Sequence, residues 1–394
     1  MRIESVCTRL CRACAPRATF AAVVLVVSMV ASGAASASGI SLGRVSVYTR
    51  NVYIGGDILE VASAPDAQSF LARTQELLAT MAATHFPVRA EALAQELVGL
   101  EPHLIGLQEV VDLRLNGAHG PLPFRDSLEE LLLALDRAGL RYRVAAVVEN
   151  LSISVPVDVD GDGAPDLVSL TDRDVILVRE DVAAAPVDFP CARPSVDGCN
   201  YVVALPLDLP APLPDTFLYR GYVGVDAVVD GERYRFVNTH LEVQGELGGV
   251  DIGFAQVAQA FELLAILDES TPRRRPVLLV GDFNSGPDDP LPAPYAQIRA
   301  AAYRDLWTSS WHPRRDRDGF TCCQAPALDN EVSLLDERID LLFVRNNLGL
   351  LPFSFVGPVS AVVVGDEPLD LEQPRWSSDH AGPWATLWAI PVFE

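Results

Sequence analysis

The sequence predicts a single α/β domain built on two sheets. Short apolar or alternating runs and runs of helical spacing intermingle along almost the whole chain, with no internal repeat and no long linker to divide it. Polar side chains recur where those apolar runs end, as they do when strands converge on one mouth of a sheet. Taken in order, residues 45–53 (VSVYTRNVY) alternate as a strand does. Residues 66–84 and 88–100 carry helical spacing, through Leu71, Leu77, Leu78 and Met81 and through Ala90, Leu93 and Leu97. A short buried strand follows at 103–110, then a helix at 126–139 capped by Asp126 or Ser127 and stopped by Gly139. Residues 142–149 and 173–179 read as strands, and 222–242 as a hairpin turning at Asp230 and Gly231. A helix at 254–267 precedes the apolar run PVLLV (276–280), which turns at Gly281. Strands at 337–345 and 360–366, and a loop leading into a strand over 377–390, complete the order.

Length and composition allow such a fold: 394 residues, 49% of them apolar, hold a sizeable core. Residues 1–37 read instead as a secretory signal. Arg2, Arg9, Arg12 and Arg17 precede the apolar run FAAVVLVVSMVA, and Ala35, Ser36 and Ala37 offer a small-residue cleavage site. The expectation is a cleaved, secreted or periplasmic protein with one domain over 42–394. The chain carries −23 overall; four of its 30 basic and one of its 53 acidic residues fall in the leader, leaving 26 against 52, or −26. No residue is lysine. So acidic a surface does not attract nucleic acid or anionic membrane passively, so a polyanionic ligand needs a cation or an arginine at its site. The basic cluster at 273–275 reads as a solvated turn, and PFSFVGPV (352–359) as a buried loop rather than a membrane surface.

Beyond the leader stand four cysteines, Cys191, Cys199, Cys322 and Cys323, an even count that suggests disulfides in an exported protein. Neighbouring cysteines seldom bond to each other, so the expectation is a cross-link between the 191–199 loop and the 322–323 pair. Zinc is the rival, but the two-residue ligand spacing is missing.

Asn51 ends the first strand, Glu109 ends LIGLQE, His240 ends RFVNTH, and Asp282 and Asn284 follow PVLLVG. Asp340 lies inside RIDLLFV, and Asp379 and His380 stand just before the last strand. Each alone reads as a turn cap or a satisfied core residue; the ordered series points to an oxygen- and nitrogen-rich cup. Hard oxygen donors of this kind suit Mg²⁺, which neutralises phosphate charge, while a carboxylate beside a water acts as general base.

Together TRN, LIGLQEV, VNTHL, LVGDFN, RIDLLFV and SSDH resemble the endonuclease/exonuclease/phosphatase superfamily, over residues 45 to about 390. That superfamily includes deoxyribonuclease I, abasic-site endonucleases, neutral sphingomyelinases and inositol-polyphosphate phosphatases. The resemblance implies a deoxyribonuclease I-like four-layer sandwich, two mixed β-sheets flanked by helices. It also implies a phosphate-ester hydrolase using Mg²⁺ or Mn²⁺. Asn51 and Glu109, with Asp379 nearby, resemble its metal ligands. Asp282 resembles the carboxylate that activates water, and Asn284 the amide that holds the water or a phosphate oxygen. His240 and His380 resemble the pair that brackets the phosphate, and Asp340 the carboxylate that orients His380. An acidic partner for His240 is not fixed by the pattern; Asp174 and Glu149 are its candidates. Asp57 could reach a metal, but has a simpler place as a helix N-cap. The substrate is a phosphate ester in a nucleic acid, a phospholipid headgroup or a small molecule, and no protein partner is implied.

An acidic insertion at 155–170 places Asp158, Asp160, Asp162 and Asp166 at the spacing of a Ca²⁺ loop, although Ser169 stands where such a loop ends in glutamate. The plainer reading is a solvated hairpin. If the insertion binds Ca²⁺, a second function class opens: a non-catalytic, calcium-stabilised extracellular binding protein on the same scaffold. That class predicts losses among the cup residues, and none is lost.

Overall fold

Alternation along single strands generates the layers. The computed structural model describes residues 43–116, 126–158, 163–211, 213–247, 250–272, 275–310, 318–346 and 359–389. Its main strands begin with β1 (Gly43–Asn51), β2 (Leu104–Gln108), β3 (Asp112–Asn116), β4 (Tyr142–Val157) and β5 (Asp166–Arg179). They continue with β6 (Ala183–Pro186), β7 (Pro194–Ser195), β8 (Gly198–Asn200), β9 (Gly221–Val229) and β10 (Glu232–His240). The last are β11 (Val277–Asp282), β12 (Arg304–Asp305), β13 (Asp340–Arg345), β14 (Ser360–Val364) and β15 (Gly382–Ala389). The helices are α1 (Ile58–Ala62), α2 (Ala67–Ala83), α3 (Phe86–Leu97), α4 (Ser127–Arg137), α5 (Gly253–Ser270), α6 (Pro294–Ala300) and α7 (Leu306–Ser309). Residues Leu42–Glu394 form one compact unit.

One sheet has the order β14-β15-β1-β2-β5-β3 with β4 also on β5; the other runs β12-β13-β11-β10-β9-β8-β7 with β6 also on β9. Both are mixed: β1 is parallel to β2 and β10 to β11, while β1 is antiparallel to β15 and β11 to β13. Val45, Leu104, Val148 and Ile176 of the first sheet meet Val225, Phe236, Leu278 and Val280 of the second in a shared core. On the opposite face of the first sheet, Tyr48, Ile105, Leu107 and Leu177 pack with Phe70, Met81, Leu93 and Leu135 of the helices. The second sheet turns Val237, Val277, Leu279 and Phe343 outward onto Leu263 and Leu267 of α5 and Ile298 of α6. Helices, sheet, sheet and helices thus make the four-layer sandwich, because each strand offers apolar side chains on both faces.

Local chemistry sets the ends. Asp66 accepts from Ser69 N and caps α2, and Asp126 accepts from Leu128 N and caps α4. Asp230 (φ 50°) and Gly231 (φ 84°) close the β9–β10 hairpin as expected. The strands expected at 142–149 and 173–179 are the inner parts of one longer ladder, in which Val157 pairs with Asp166. The outer parts were masked by interleaved Ser and Asp; their Leu151, Val155, Val168 and Leu170 are buried against the α2 side. Residues 155–157 and 166–170 of the acidic insertion form the outer end of that ladder. Asp158 accepts from Gly163 N at 3.0 Å, while Asp160 and Asp162 lie outside the described residues. So do the leader, Arg273 and Arg274, and residues 352–358. Among the described residues no helix is long and apolar enough to cross a membrane.

The expected cross-link between the two cysteine clusters is not formed. Cys191 bonds to Cys199, with Cα atoms 6.2 Å apart, and Cys322 bonds to Cys323. The reason is the strand order. Cys199 lies in β8, whereas Cys322 bridges to Glu337 just ahead of β13, and β9, β10 and β11 stand between. Four strand spacings are roughly 19 Å, far beyond the reach of a disulfide.

Candidate active site

Register brings the chemistry together. His240 pairs with Asp282 across β10 and β11, and Asp282 pairs with Asp340 across β11 and β13. Paired residues point to the same face, so three strands put an imidazole and two carboxylates on one rung. Asp340 is the first residue of β13, not an interior one; because β13 is antiparallel to β11, its beginning lies at the same mouth as the ends of its neighbours. Gly281, next to Asp282 in β11, packs directly against the backbone of β10. Its φ is 148°, and a Cβ there would stand 1.9 Å from the Thr239 carbonyl oxygen.

The first sheet supplies the facing wall. Asn51, at the end of β1, donates Nδ2–H to Glu109 Oε1 at 2.9 Å and to Asp282 Oδ2 at 3.1 Å. Its Oδ1 accepts from Tyr53 N at 3.0 Å, and Glu109 Oε2 accepts from Ile54 N at 2.7 Å. In this arrangement Asn51 orients two carboxylates, and its oxygen accepts one backbone N–H and keeps a second lone pair. The Ser377–His380 segment is fixed by two buried arginines. Arg50 donates to Ser377 Oγ at 2.6 Å, Arg89 donates to the carbonyls of Val52, Tyr53 and Ser377, and Ser378 Oγ donates to the Asn51 carbonyl at 2.7 Å. His380 Nδ1 then meets Asp340 Oδ2 at 2.8 Å, and its Nε2 lies 3.8 Å from Asp282 Oδ2.

The two histidines have opposite electrostatics. Burial acts to lower His380, but the carboxylates of Asp340, Asp379 and Asp282 hold it well above its ordinary pKa, as an imidazolium. His240 is pushed well below, by burial and then by the Arg220 and His380 charges. Arg220 Nη1 lies 3.2 Å from His240 Nδ1. A guanidinium only donates, so Nδ1 accepts from Arg220; Nε2 stands 3.6 Å from Asp282 Oδ2 and 3.2 Å from Asn284 Nδ2, a second donor. Burial, reinforced by the Asp340 charge, raises Asp282 to about 7. Its Oδ1 accepts from Asn284 N at 2.9 Å.

His240, Asp282, Asn284 and His380 line a cavity of about 350 Å³ with Glu109, Asp172, Arg220, Asp379, Cys322 and Cys323; Asn51 and Asp340 stand behind its lining. Burial, with the Glu109 charge, raises Asp379 to about 6. Two mutually repelling carboxylates of fixed orientation beside a cavity fit a divalent cation that prefers oxygen, so Glu109 and Asp379 are the donors suited to one. Asp282, Asp340 and His380 also bring donor atoms within 4.8 Å of one another; there Asp340 Oδ2 is engaged by His380 Nδ1, while Asp340 Oδ1 is buried without a hydrogen-bond partner.

Of the candidates for supporting His240, Asp174 Oδ1 is 3.9 Å from Nδ1 and makes no hydrogen bond there, and Glu149 is exposed on β4, where its backbone meets Ser195. Arg220 occupies that place, itself paired with the buried Glu242 at 3.2 Å. Asp57 caps α1, accepting from Leu59 N at 2.8 Å and Glu60 N at 3.1 Å. Sequence reading missed Arg220, Glu242 and Asp172. The one available signal was that a hairpin turning at Asp230 must return Gly221, next to Arg220, opposite His240.

The sequence matches the profile of the Endonuclease/Exonuclease/phosphatase family over residues 69–380. No curated protein matches it. Among solved structures it resembles truncated Caenorhabditis elegans TDP2, at 15% identity and TM-score 0.47, covering 88% of this chain and 98% of that one. It also resembles an endonuclease/exonuclease/phosphatase family protein of Bacteroides thetaiotaomicron, at 18% identity and TM-score 0.48, covering 89% and 99%. A third is the mannosyl-6-phosphatase Bt3783 of the same organism, at 17% identity and TM-score 0.46, covering 89% and 100%.

Proposed function

The chain belongs to the Endonuclease/Exonuclease/phosphatase family, and from that premise we propose that it is an exported, divalent-metal-dependent hydrolase of phosphate esters. The observation that carries this reading is the rung of His240, Asp282 and Asp340 with His380 closing over it. Asp282, near 7, is matched to take a proton from water at neutral pH, and Asn51 and Asn284 aim its two oxygens. His380 as imidazolium presents an Nε2–H toward the cavity, from which an anionic phosphoryl oxygen gains, with the neutral His240 beside it. Arg220 stands 3.2 Å from His240 Nδ1 and adds positive charge behind the ring. Glu109 and Asp379 are the residues to hold Mg²⁺ or Mn²⁺, which when bound neutralises phosphate charge and stabilises the leaving oxygen. Ile58, Leu59, Leu218 and Val243 share the cavity wall and suit the apolar part of a small or headgroup ester better than a long polyanion. The arginine-led apolar leader and the paired cysteines support export.

Hydrolysis of bis-p-nitrophenyl phosphate and p-nitrophenyl phosphate with Mg²⁺, Mn²⁺ or EDTA tests this. The expected result is metal-dependent turnover lowered by at least ~10³-fold in an Asp282→Ala, His380→Ala double variant that keeps its circular dichroism spectrum. Wild type and variant equally inert with every metal and ester would overturn it.

A further inference from the structure

The adjacent cysteines lie against the candidate active site, and the reaction has no use for them. Cys323 is exposed in the cavity wall with its Sγ 3.8 Å from His380 Nε2, and Cys322 is buried behind it. Donor atoms of Cys322, Cys323 and His380 all lie within 4.8 Å of one another. We propose that, once the Cys322–Cys323 disulfide is reduced, these three residues form a binding site for a thiophilic cation of the zinc type, which blocks the active site by occupying His380 Nε2.

Three features carry this. The first is distance. Tetrahedral zinc with bonds of ~2.3 Å to sulfur and ~2.05 Å to nitrogen sets sulfur and nitrogen roughly 3.6 Å apart, close to the 3.8 Å between Cys323 Sγ and His380 Nε2, and it needs the two sulfurs, freed by reduction, to part to about 3.8 Å. The second is support. Metal-bound histidines characteristically donate their other ring N–H to a carboxylate, and His380 Nδ1 already meets Asp340 Oδ2 at 2.8 Å. The third is a backbone that stays in place without the disulfide. Thr321 N and Cys322 N donate to the Glu337 carbonyl, Ala381 N donates to the Thr321 carbonyl, and Gln324 N donates to the Asp379 carbonyl at 2.8 Å. The segment is laced on both sides, toward β13 and toward the His380 loop. The donor set also differs in kind from Glu109 and Asp379: two thiolates and an imidazole select a soft or borderline ion, and two carboxylates a hard one.

The chemistry balances with a dithiol reductant. The Cys322–Cys323 bond accepts two electrons and two protons, and the reductant closes to its own disulfide. Zn²⁺ then displaces one proton from each thiol and the Nε2 proton from His380, leaving the fourth position to water. The blockade of turnover rests on the phosphoesterase reading above; the metal site does not.

Zn²⁺ binding is measured by competition with a chromogenic chelator, in excess Mg²⁺ to fill oxygen sites. Oxidised wild type, reduced wild type and reduced Cys322→Ser/Cys323→Ser are compared, each checked for fold by circular dichroism. Reduction also opens Cys191–Cys199, and the reduced variant controls for that. The expected result is one Zn²⁺ per reduced wild-type chain, at least ~100-fold tighter than in either comparator, with bis-p-nitrophenyl phosphate turnover falling in step with occupancy. Equal Zn²⁺ binding in all three overturns the site. Selective binding in reduced wild type without loss of a demonstrated turnover overturns the blockade and leaves the site standing. Selective binding with no turnover in any sample means instead that the phosphoesterase reading has failed.

Discussion

At the scale of single residues, the Asp340 carboxylate governs two titrations. It accepts from His380 Nδ1 and favours the imidazolium, and its charge helps raise the neighbouring Asp282 to about 7. A general base works only when deprotonated, so kcat/KM rises with pH up to about 7 and then levels. A cationic donor works only when protonated, so the alkaline limb falls where His380 loses its proton. Asp340→Asn keeps an oxygen for the Nδ1–H and removes the charge. Without that anion both Asp282 and His380 titrate lower, and both limbs of the profile move to lower pH. The plateau drops by about 10²–10⁴-fold, the range for losing the anion behind a catalytic histidine. A pH–rate profile of the variant on bis-p-nitrophenyl phosphate measures both effects, and limbs that stay where the wild type has them would show that Asp340 is only a packing residue.

Between elements, the two sheets are pinned just below the site by one side chain. Asn238 of β10 donates to the carbonyls of Leu107 at 2.9 Å and Val175 at 3.2 Å in the other sheet, and accepts from Gln108 Nε2. Gly106 makes room for it, since a Cβ there would stand 2.6 Å from Asn238 Oδ1. Asn238→Leu removes the side-chain donors to two buried carbonyls and one of the two acceptors of Gln108 Nε2, which keeps Thr49 Oγ1, and should cost roughly 2–5 kcal/mol, at 1–3 kcal/mol for each unsatisfied group with partial relaxation. A urea unfolding midpoint unchanged within error would mean that the apolar core alone sets the sheet separation. The same elements show what the sequence could disclose. β11 was legible because both of its faces are covered, so VLLV is wholly apolar and the polar residues at its end stand out; β10, with the sequence ERYRFVNTH, was legible from the Asp230–Gly231 turn that opens it. The four layers themselves were reached only through a resemblance; the residues alone gave two sheets. Arg220 was not legible, because a lone arginine beside a strand start has no local pattern and acquires meaning only from the Gly221–His240 pairing. Cysteine pairing was misjudged for the same reason, since strand order, not sequence distance, decides which thiols can meet.

For the molecule as a whole, charge opposes the proposed substrate. The chain carries −23, and the cavity adds Asp57, Glu109, Asp172 and Asp379 to Asp282, with Arg220 the one arginine among its lining residues. An incoming phosphate ester therefore climbs a repulsive field until it reaches a bound cation and the two imidazoles. That field extends about 30 Å at 0.01 M salt and about 10 Å at 0.1 M, whereas contacts inside the cavity are hardly screened. Added salt should thus remove the long-range penalty and leave the local attraction. We expect kcat/KM for bis-p-nitrophenyl phosphate to rise about two- to tenfold between roughly 0.01 and 0.15 M KCl at fixed Mg²⁺. A short oligothymidylate, with many more charges, should compete more strongly at the higher salt. A basic nucleic-acid binder has the opposite slope, because its affinity comes from released counterions. If kcat/KM and oligonucleotide inhibition both fall with salt, an attractive field at the mouth outweighs the net charge, and a nucleic acid becomes the better substrate class.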